Sequence, residues 1–194
     1  MTTKRLKILL RFLQEIEKLK RINRQVKISN KKRWESSAEH SWDLAMWAWI
    51  FSNDLPPAAD LFRIIKLLLM HDLVEIYAGD TFLFDHAKRR RKAMVEAKAA
   101  KKLFRLLTPD LQKEFKALWL EFEAGKSREA KVAKSIDRLQ PILQNIVSDG
   151  YGWKKHNVTE EDIRKYKRDH MVHDKTVLQI FEALIRDAKR ARLI

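Results

Sequence analysis

Residues that break helices are scarce in this chain, and that scarcity narrows its possible folds more than any other feature. Four glycines and four prolines are spread over 194 residues. Leu, Ala, Lys, Arg and Glu, which lose least on entering a helix, are abundant. Apolar positions fall on stripes at helical spacing. Leu6, Leu9, Leu10, Leu13, Ile16, Leu19 and Ile22 recur at intervals of three and four, which predicts an amphipathic helix over roughly 4–24. The polar, irregular stretch from Val26 to Trp34 reads as a connecting loop. The expected fold is an all-α, compact helical bundle forming one domain over 1–194, and 45% apolar content is enough for a sizeable core.

Local signals mark where the later helices begin and end. Ser36-Ser37-Ala38-Glu39 has the form of a capping box, opening a helix to about Phe51 with His40, Leu44, Trp47 and Phe51 facing the core. Pro57 suits the first turn of a third helix reaching Tyr77, which Gly79 would end. A loop through Thr81–Asp85 should precede a basic helix over about 87–107, and Thr108-Pro109 should open another to about Glu123. A helix from about Glu129 to Val147 would turn Ala133, Ile136, Asp137, Gln140, Leu143, Ile146 and Val147 inward, with a bend near Pro141. Asp149 to Gly152 reads as a loop, Thr159 caps a further helix, and Lys175 to Arg192 is the last.

Chemistry concentrates at the end of the third helix. His71-Asp72-Leu73-Val74-Glu75 and Gly79-Asp80 follow the apolar run Ile64–Met70, so ionisable groups enter a buried setting. Such groups are costly unless paired, hydrogen-bonded or bound to metal. His71 and Asp72 are natural metal ligands, and Glu75 lies one turn later on the same face. His40 and Asp137 are further ligand-type residues on predicted inner faces of other helices.

The order His40, His71-Asp72, Asp137 resembles the HD-domain phosphohydrolase superfamily. The likeness is closer to its 5′-deoxynucleotidase-like branch through Arg33, Glu35, Glu39-His40-Ser41, His71-Asp72-x-x-Glu75-x-x-x-Gly79-Asp80 and Lys134-Ser135-Ile136-Asp137. The resemblance spans roughly 22–147. It implies that His40, His71, Asp72 and Asp137 bind one divalent transition-metal ion, with Mn, Co, Fe, Ni and Zn all suited to two imidazoles and two carboxylates. It further implies that Glu75 is the acid/base group and that Asp80 orients water or a sugar hydroxyl. Arg24 falls where that branch carries an arginine used on the phosphate, but its neighbour is Gln25 where the branch has Trp; Trp34 is an alternative ring nearby. Arg33 is a second phosphate candidate. The implied substrate is a small nucleotide, foremost a deoxynucleoside 5′-monophosphate, and the implied assembly is a homodimer.

Composition tests these expectations. With 41 Lys and Arg against 26 Asp and Glu, the formal charge is +15, which attracts anionic partners. A basic nucleic-acid-binding helical protein with a vestigial or structural metal site is therefore an alternative, as is a hydrolase acting on a larger phosphorylated nucleotide. No motif of the common RNA- or DNA-binding modules supports the first, and an intact Glu75 and Asp80 favour an enzyme, so no specific nucleic-acid partner is expected. The block Lys88-Arg89-Arg90-Arg91-Lys92 could border the same cleft. His86, His156, His170 and His173 match nothing in the pattern and read as surface residues. The absence of cysteine excludes thiolate ligands. No apolar run is long enough to span a membrane, and the N-terminus does not resemble a secretory signal, so a cytoplasmic location is expected.

Overall fold

A computed structural model describes residues 1–56, 59–82 and 86–194, without the side chains of 86–89. The roles expected of Pro57, His86, Lys88, Arg89 and the 83–85 part of the loop therefore lie outside the described residues. The chain runs through α1 (Thr3–Ile16), a 3₁₀ turn (Glu17–Arg21), β1 (Asn23–Lys27), β2 (Trp34–Ser36), α2 (Ser37–Ile50) and α3 (Leu61–Met70). A second 3₁₀ turn (His71–Val74) leads to α4 (Glu75–Ala78), then α5 (His86–Phe104), α6 (Pro109–Ala124) and α7 (Arg128–Val147). After α8 (Tyr151–His156) and α9 (Glu160–Lys167), a 3₁₀ turn (Arg168–His170) precedes α10 (Lys175–Arg190).

The helical class holds, with one departure. The first helix stops at Ile16, and Asn23–Lys27 pairs antiparallel with Trp34–Ser36 where a loop was expected. This short hairpin is fixed by its surroundings rather than by its own pattern. The Ser37 N–H donates to the Ile22 carbonyl, Gln144 Nε2 donates to the Lys27 carbonyl, and Val26 is buried. Gly152 explains why the hairpin lies so close to α8. A Cβ there would stand 2.7 Å from the Gln25 carbonyl oxygen and 2.9 Å from Asn145 Oδ1. The two glycines near 150 thus do not make the expected loop: Gly150 takes a left-handed conformation, and Gly152 sits inside a short helix.

The capping box forms as its residues predict. Ser36 accepts from the Glu39 N–H, and Glu39 accepts from the Ser36 N–H. The third helix begins later than its sequence suggested, with Asp60 accepting from the Arg63 N–H, and tightens to a 3₁₀ turn at His71 instead of running on to Tyr77.

Two apolar clusters fill the interior. The larger joins α2, α3, α5 and α6 to the first half of α7 through Leu44, Leu68, Leu103, Phe122 and Ile136. The smaller joins Leu139 and Ile142 of α7 to α8, α9 and α10 through Trp153, Ile163, Phe181 and Ile185. Because α7 lies between them, its buried face is broad and includes Val132, Leu139 and Ile142. Leu143 and Val147, expected inside, fall on the remaining open side, 37% and 43% exposed.

Candidate metal centre and substrate cavity

Three elements bring the ligand-type side chains together. The first turn of α2 supplies His40, the 3₁₀ turn after α3 supplies His71 and Asp72, and the middle of α7 supplies Asp137; all four are buried. One ligand atom each from His40, His71 and Asp72 lie within 4.8 Å of one another. Asp137 Oδ1 joins them, 3.2 Å from His40 Nε2 and 3.8 Å from His71 Nε2. The four residues singled out from sequence therefore converge on one point.

The hydrogen-bond network assigns which ring nitrogens face that point. Gln140 Nε2 donates to Glu35 Oε1 at 2.8 Å and to Asp43 Oδ2 at 3.0 Å, which turns Gln140 Oε1 toward His40. His40 Nδ1 then donates to that oxygen at 2.9 Å. His71 Nδ1 donates to the Leu68 carbonyl at 2.7 Å. Both rings consequently turn Nε2 toward carboxylate oxygens, His40 Nε2 3.2 Å from Asp137 Oδ1 and His71 Nε2 3.0 Å from Asp72 Oδ1. Burial lowers the His71 pKa, and Asp72 and Asp137 more than offset it, so the crowded carboxylates favour a positive charge among them, a proton on the ring or a metal ion. Imidazole nitrogens oriented by a carbonyl or amide, beside two carboxylates, suit a divalent metal.

Electrostatics around this point separate the acids into two kinds. Asp137 is buried, which opposes its charge, but Arg138 Nη1 at 2.8 Å and the two histidines hold it well below the ordinary carboxylate range. Asp72 is likewise held low, with His71 and Arg24 outweighing burial. Glu75 goes the other way. Burial, with Asp72 and Asp80 nearby, raises its pKa well above ordinary; among the described residues its side chain accepts one hydrogen bond, from Ser37 Oγ to Oε2 at 2.7 Å. Gly79, at φ +75°, ends α4 and turns the chain so that Asp80 faces the same space; burial raises the Asp80 pKa too.

Arg24, on β1, reaches into the site. Its Nε lies 3.1 Å from Glu35 Oε2, and Nη1 lies 3.2 Å from Asp72 Oδ2 and 3.9 Å from Asp80 Oδ1. Burial opposes its charge, and the three carboxylates more than offset that. Arg33 is not brought to the site. Its Nη1 donates to Glu39 Oε2 at 2.8 Å on the outer side of α2, because the capping-box carboxylate is the nearest anion. Trp34 is also engaged elsewhere, edge-on to Tyr151 with Lys27 and Lys155 over its ring.

The centre opens into a cavity of about 330 Å³. Arg24, His71, Asp72, Glu75, Asp80 and Asp137 line its inner side. Lys92, Glu96, Glu123, Lys134, Arg138 and Lys167, with Phe82 and Phe122, form the rest of its charged and aromatic wall. Of the basic block only Lys92 belongs to this wall, paired with Glu96 at 3.4 Å. Sequence reasoning overlooked Lys134, Arg138 and Lys167 as lining residues and Gln140 as the residue that orients His40. Gln140, three residues after Asp137 on the inner stripe, carried a readable signal; Lys167 carried none. Among the unassigned histidines, His173 is exposed as expected, whereas His170 is half-buried and, through burial and then Arg138, brought down to about 4. His156 is also half-buried, against Phe82.

Known proteins resemble this chain in sequence and fold. A family profile described as HD domain matches residues 16–178. The protein described as 5′-deoxynucleotidase HDDC2 of Mus musculus is 36% identical over 137 residues, 70% of this chain and 67% of that protein. Its Homo sapiens counterpart is 35% identical over the same length, 66% of its own. The chain thus spans about two thirds of the length of these curated relatives. Among solved structures, a "Predicted metal-dependent phosphohydrolase" from Magnetospirillum magnetotacticum MS-1 is 39% identical, with a TM-score of 0.91 and coverage of 98% of this chain and 95% of that one. An HD-domain phosphohydrolase from Listeria innocua, at 17% identity and a TM-score of 0.60, shares the fold. With the profile matching most of its length and relatives above 30% identity covering 70% of it, the chain belongs to the HD domain family.

Proposed function

We propose that this protein is a metal-dependent phosphohydrolase that releases phosphate from small nucleotides, foremost deoxynucleoside 5′-monophosphates. The observation that carries the reading is the convergence of two histidine Nε2 atoms and two carboxylates at the floor of a cavity lined by Arg24, Lys92, Lys134, Arg138 and Lys167. The 5′-deoxynucleotidase names of the curated relatives support the substrate class. In this reading His40, His71, Asp72 and Asp137 hold one divalent transition-metal ion. Such an ion supplies Lewis-acid polarisation of a phosphoryl oxygen and makes a nearby water more acidic. Mn, Co, Fe, Ni and Zn all suit the nitrogen and oxygen donor set.

The protein's own groups do the rest. Glu75, buried and inclined to keep its proton, exchanges a proton with the attacking water or the leaving alcohol. Ser37 Oγ fixes which carboxylate oxygen remains free for that exchange. Asp80 accepts from water or a sugar hydroxyl. Arg24 keeps Asp72 ionised, opposes the rise that burial brings to Asp80, and offers phosphate only the edge of its guanidinium that the carboxylates leave open. Arg33 would have to leave Glu39 to take part.

The test is phosphate release from a panel of deoxyribo- and ribonucleoside 5′-monophosphates, with each metal restored to chelated enzyme. Release from the deoxynucleotides that disappears with chelation is expected. No release from any nucleotide with any of the metals would overturn the reading. The same reading treats 1–194 as one hydrolase unit working in the cytoplasm, with no sequence-specific nucleic acid and no membrane as partner. Among the described residues no helix is long and apolar enough to cross a membrane. It also includes a homodimer. Leu6, Leu10 and Leu13 leave the apolar stripe of α1 exposed, and Trp49 and Phe62 are also open. The stripe of α10, by contrast, is covered within the chain, since Val177, Phe181 and Ile185 are buried. Light scattering at micromolar concentration checks the dimer.

A further inference from the structure

The positive charges around the cavity are not equivalent. Arg24 is spent on Glu35, Asp72 and Asp80, Lys92 on Glu96, and Arg138 Nη1 on Asp137. Lys134 and Lys167 differ. Among the described residues, neither has a carboxylate at ion-pair distance. Lys167 is 5% exposed, and its hydrogen bond is a donation from Nζ to the Arg138 carbonyl at 2.8 Å. An ammonium carries three donors, so two remain without a protein acceptor in a buried place. Lys134 Nζ lies 4.8 Å from the Phe122 ring centre, and that ring packs 4.7 Å from the His71 ring, which puts the ammonium one aromatic layer from the metal ligands. Arg138 Nε is a third donor, buried and unpartnered. Their mutual repulsion is visible in their chemistry. Burial lowers the pKa of both lysines; at Lys134 Glu123 opposes this and Arg138 adds to it, and at Lys167 Arg138 adds to it, bringing Lys167 to about 7.

A chain does not gain stability by gathering unpaired buried cations; the desolvation is compensated only when an anion arrives. All three donors line the cavity that contains the ligand set. We propose that Lys134, Lys167 and Arg138 Nε form the main phosphate-recognition wall, holding the non-bridging oxygens of the phosphoryl group while Arg24 chiefly organises the carboxylates. This rests on the hydrolase reading for its substrate class, but the wall itself is argued from buried, unspent donors in the cavity.

The test uses metal-loaded protein with inorganic phosphate as the probe, titrated by calorimetry, alongside KM and kcat on a deoxynucleoside monophosphate. Lys134→Gln and Lys167→Met are the variants. Each should weaken phosphate binding by about tenfold or more, raise KM more than it lowers kcat, and leave bound metal unchanged. Lys167→Met should also melt no lower than the parent, because a methionine fills the space without an unpaired charge. Phosphate affinity within twofold of the parent in both variants would overturn the proposal, as would failure of the parent to bind phosphate. A Lys167→Met protein that melts lower yet binds phosphate normally would make Lys167 a structural donor to the Arg138 carbonyl and equally overturn its place in the wall. The two readings fail separately. Phosphate binding lost in the variants of a protein that hydrolyses no nucleotide keeps the wall and removes the hydrolase, whereas hydrolysis with unmoved phosphate affinity does the reverse.

Discussion

His71 commits its Nδ1 proton to the Leu68 carbonyl, and this single bond decides what the other nitrogen can do. With Nδ1 committed as a donor, Nε2 is the one ring nitrogen left to face the carboxylates or to take a metal. Glu75, four residues on, is in the opposite condition, since burial inclines it to keep a proton. The two residues therefore predict different losses. Glu75→Gln should retain the fold and the bound metal while phosphate release falls by roughly 10²-fold or more. Asp137→Ala should lose the metal, and Arg138 with it loses the partner of its Nη1. Metal content and turnover measured on one preparation of each variant separate these outcomes; full activity in Glu75→Gln would remove it from the chemistry. Residues such as His71 and Asp72 were legible because ionisable groups at the end of an apolar run need a reason to be there. Lys167 was not legible, because a lysine at the end of a short polar helix looks like any surface lysine until α9 is docked on α7 and buries it.

At the scale of elements, the signals that survived were those complete within a few residues. The Ser36–Glu39 box, the Thr108-Pro109 start and the Thr159 cap each satisfy orphan N–H groups or begin helices locally, so their sequence suffices. The hairpin was missed because its strands are specified by what they touch: the Ile22 carbonyl, Gln144 and the space left by Gly152. The α2 start also carries a charge that can be tested. The hydrogen bond from Arg33 is the largest influence on Glu39, and its pKa falls from the ordinary 4.5 to about 2. A carboxylate lowered on folding stabilises the fold above its unfolded value, and that contribution is lost as pH falls through about 2. Since Glu39 is 41% exposed, solvent screening limits the pair to about 1 kcal/mol or less. Glu39→Gln keeps the box geometry and removes the charge, so it should lower Tm by a few degrees at pH 7. The difference from the parent should shrink as the melts are repeated from pH 4.5 downward; a constant difference would show that the charge contributes nothing.

At the scale of the whole molecule, the net charge of +15 was readable but its distribution was not. Some of the basic surface is paired, as in Arg5 with Asp110 and Arg164 with Glu182, while Lys134 and Lys167 line the cavity with no carboxylate at ion-pair distance among the described residues. Composition cannot distinguish these, because the difference lies in which helices meet. What meets at α7 matters most. Asp137 sits where the larger apolar cluster gives way to the smaller one, between Ile136 of the first and Leu139 of the second. The helices of the first cluster supply the histidines, whereas α10 supplies no ligand and packs chiefly on α7. A bound ion therefore acts as a clasp between two cooperative units. Its binding free energy, available only when both are docked, is shared with a helix it never touches. Backbone amide exchange at Phe181 and Ile185 should slow when metal is added, in step with the ligand-bearing turn at His71. Protection confined to α2, α3 and α7 would mean that the C-terminal helices open and close independently of the site.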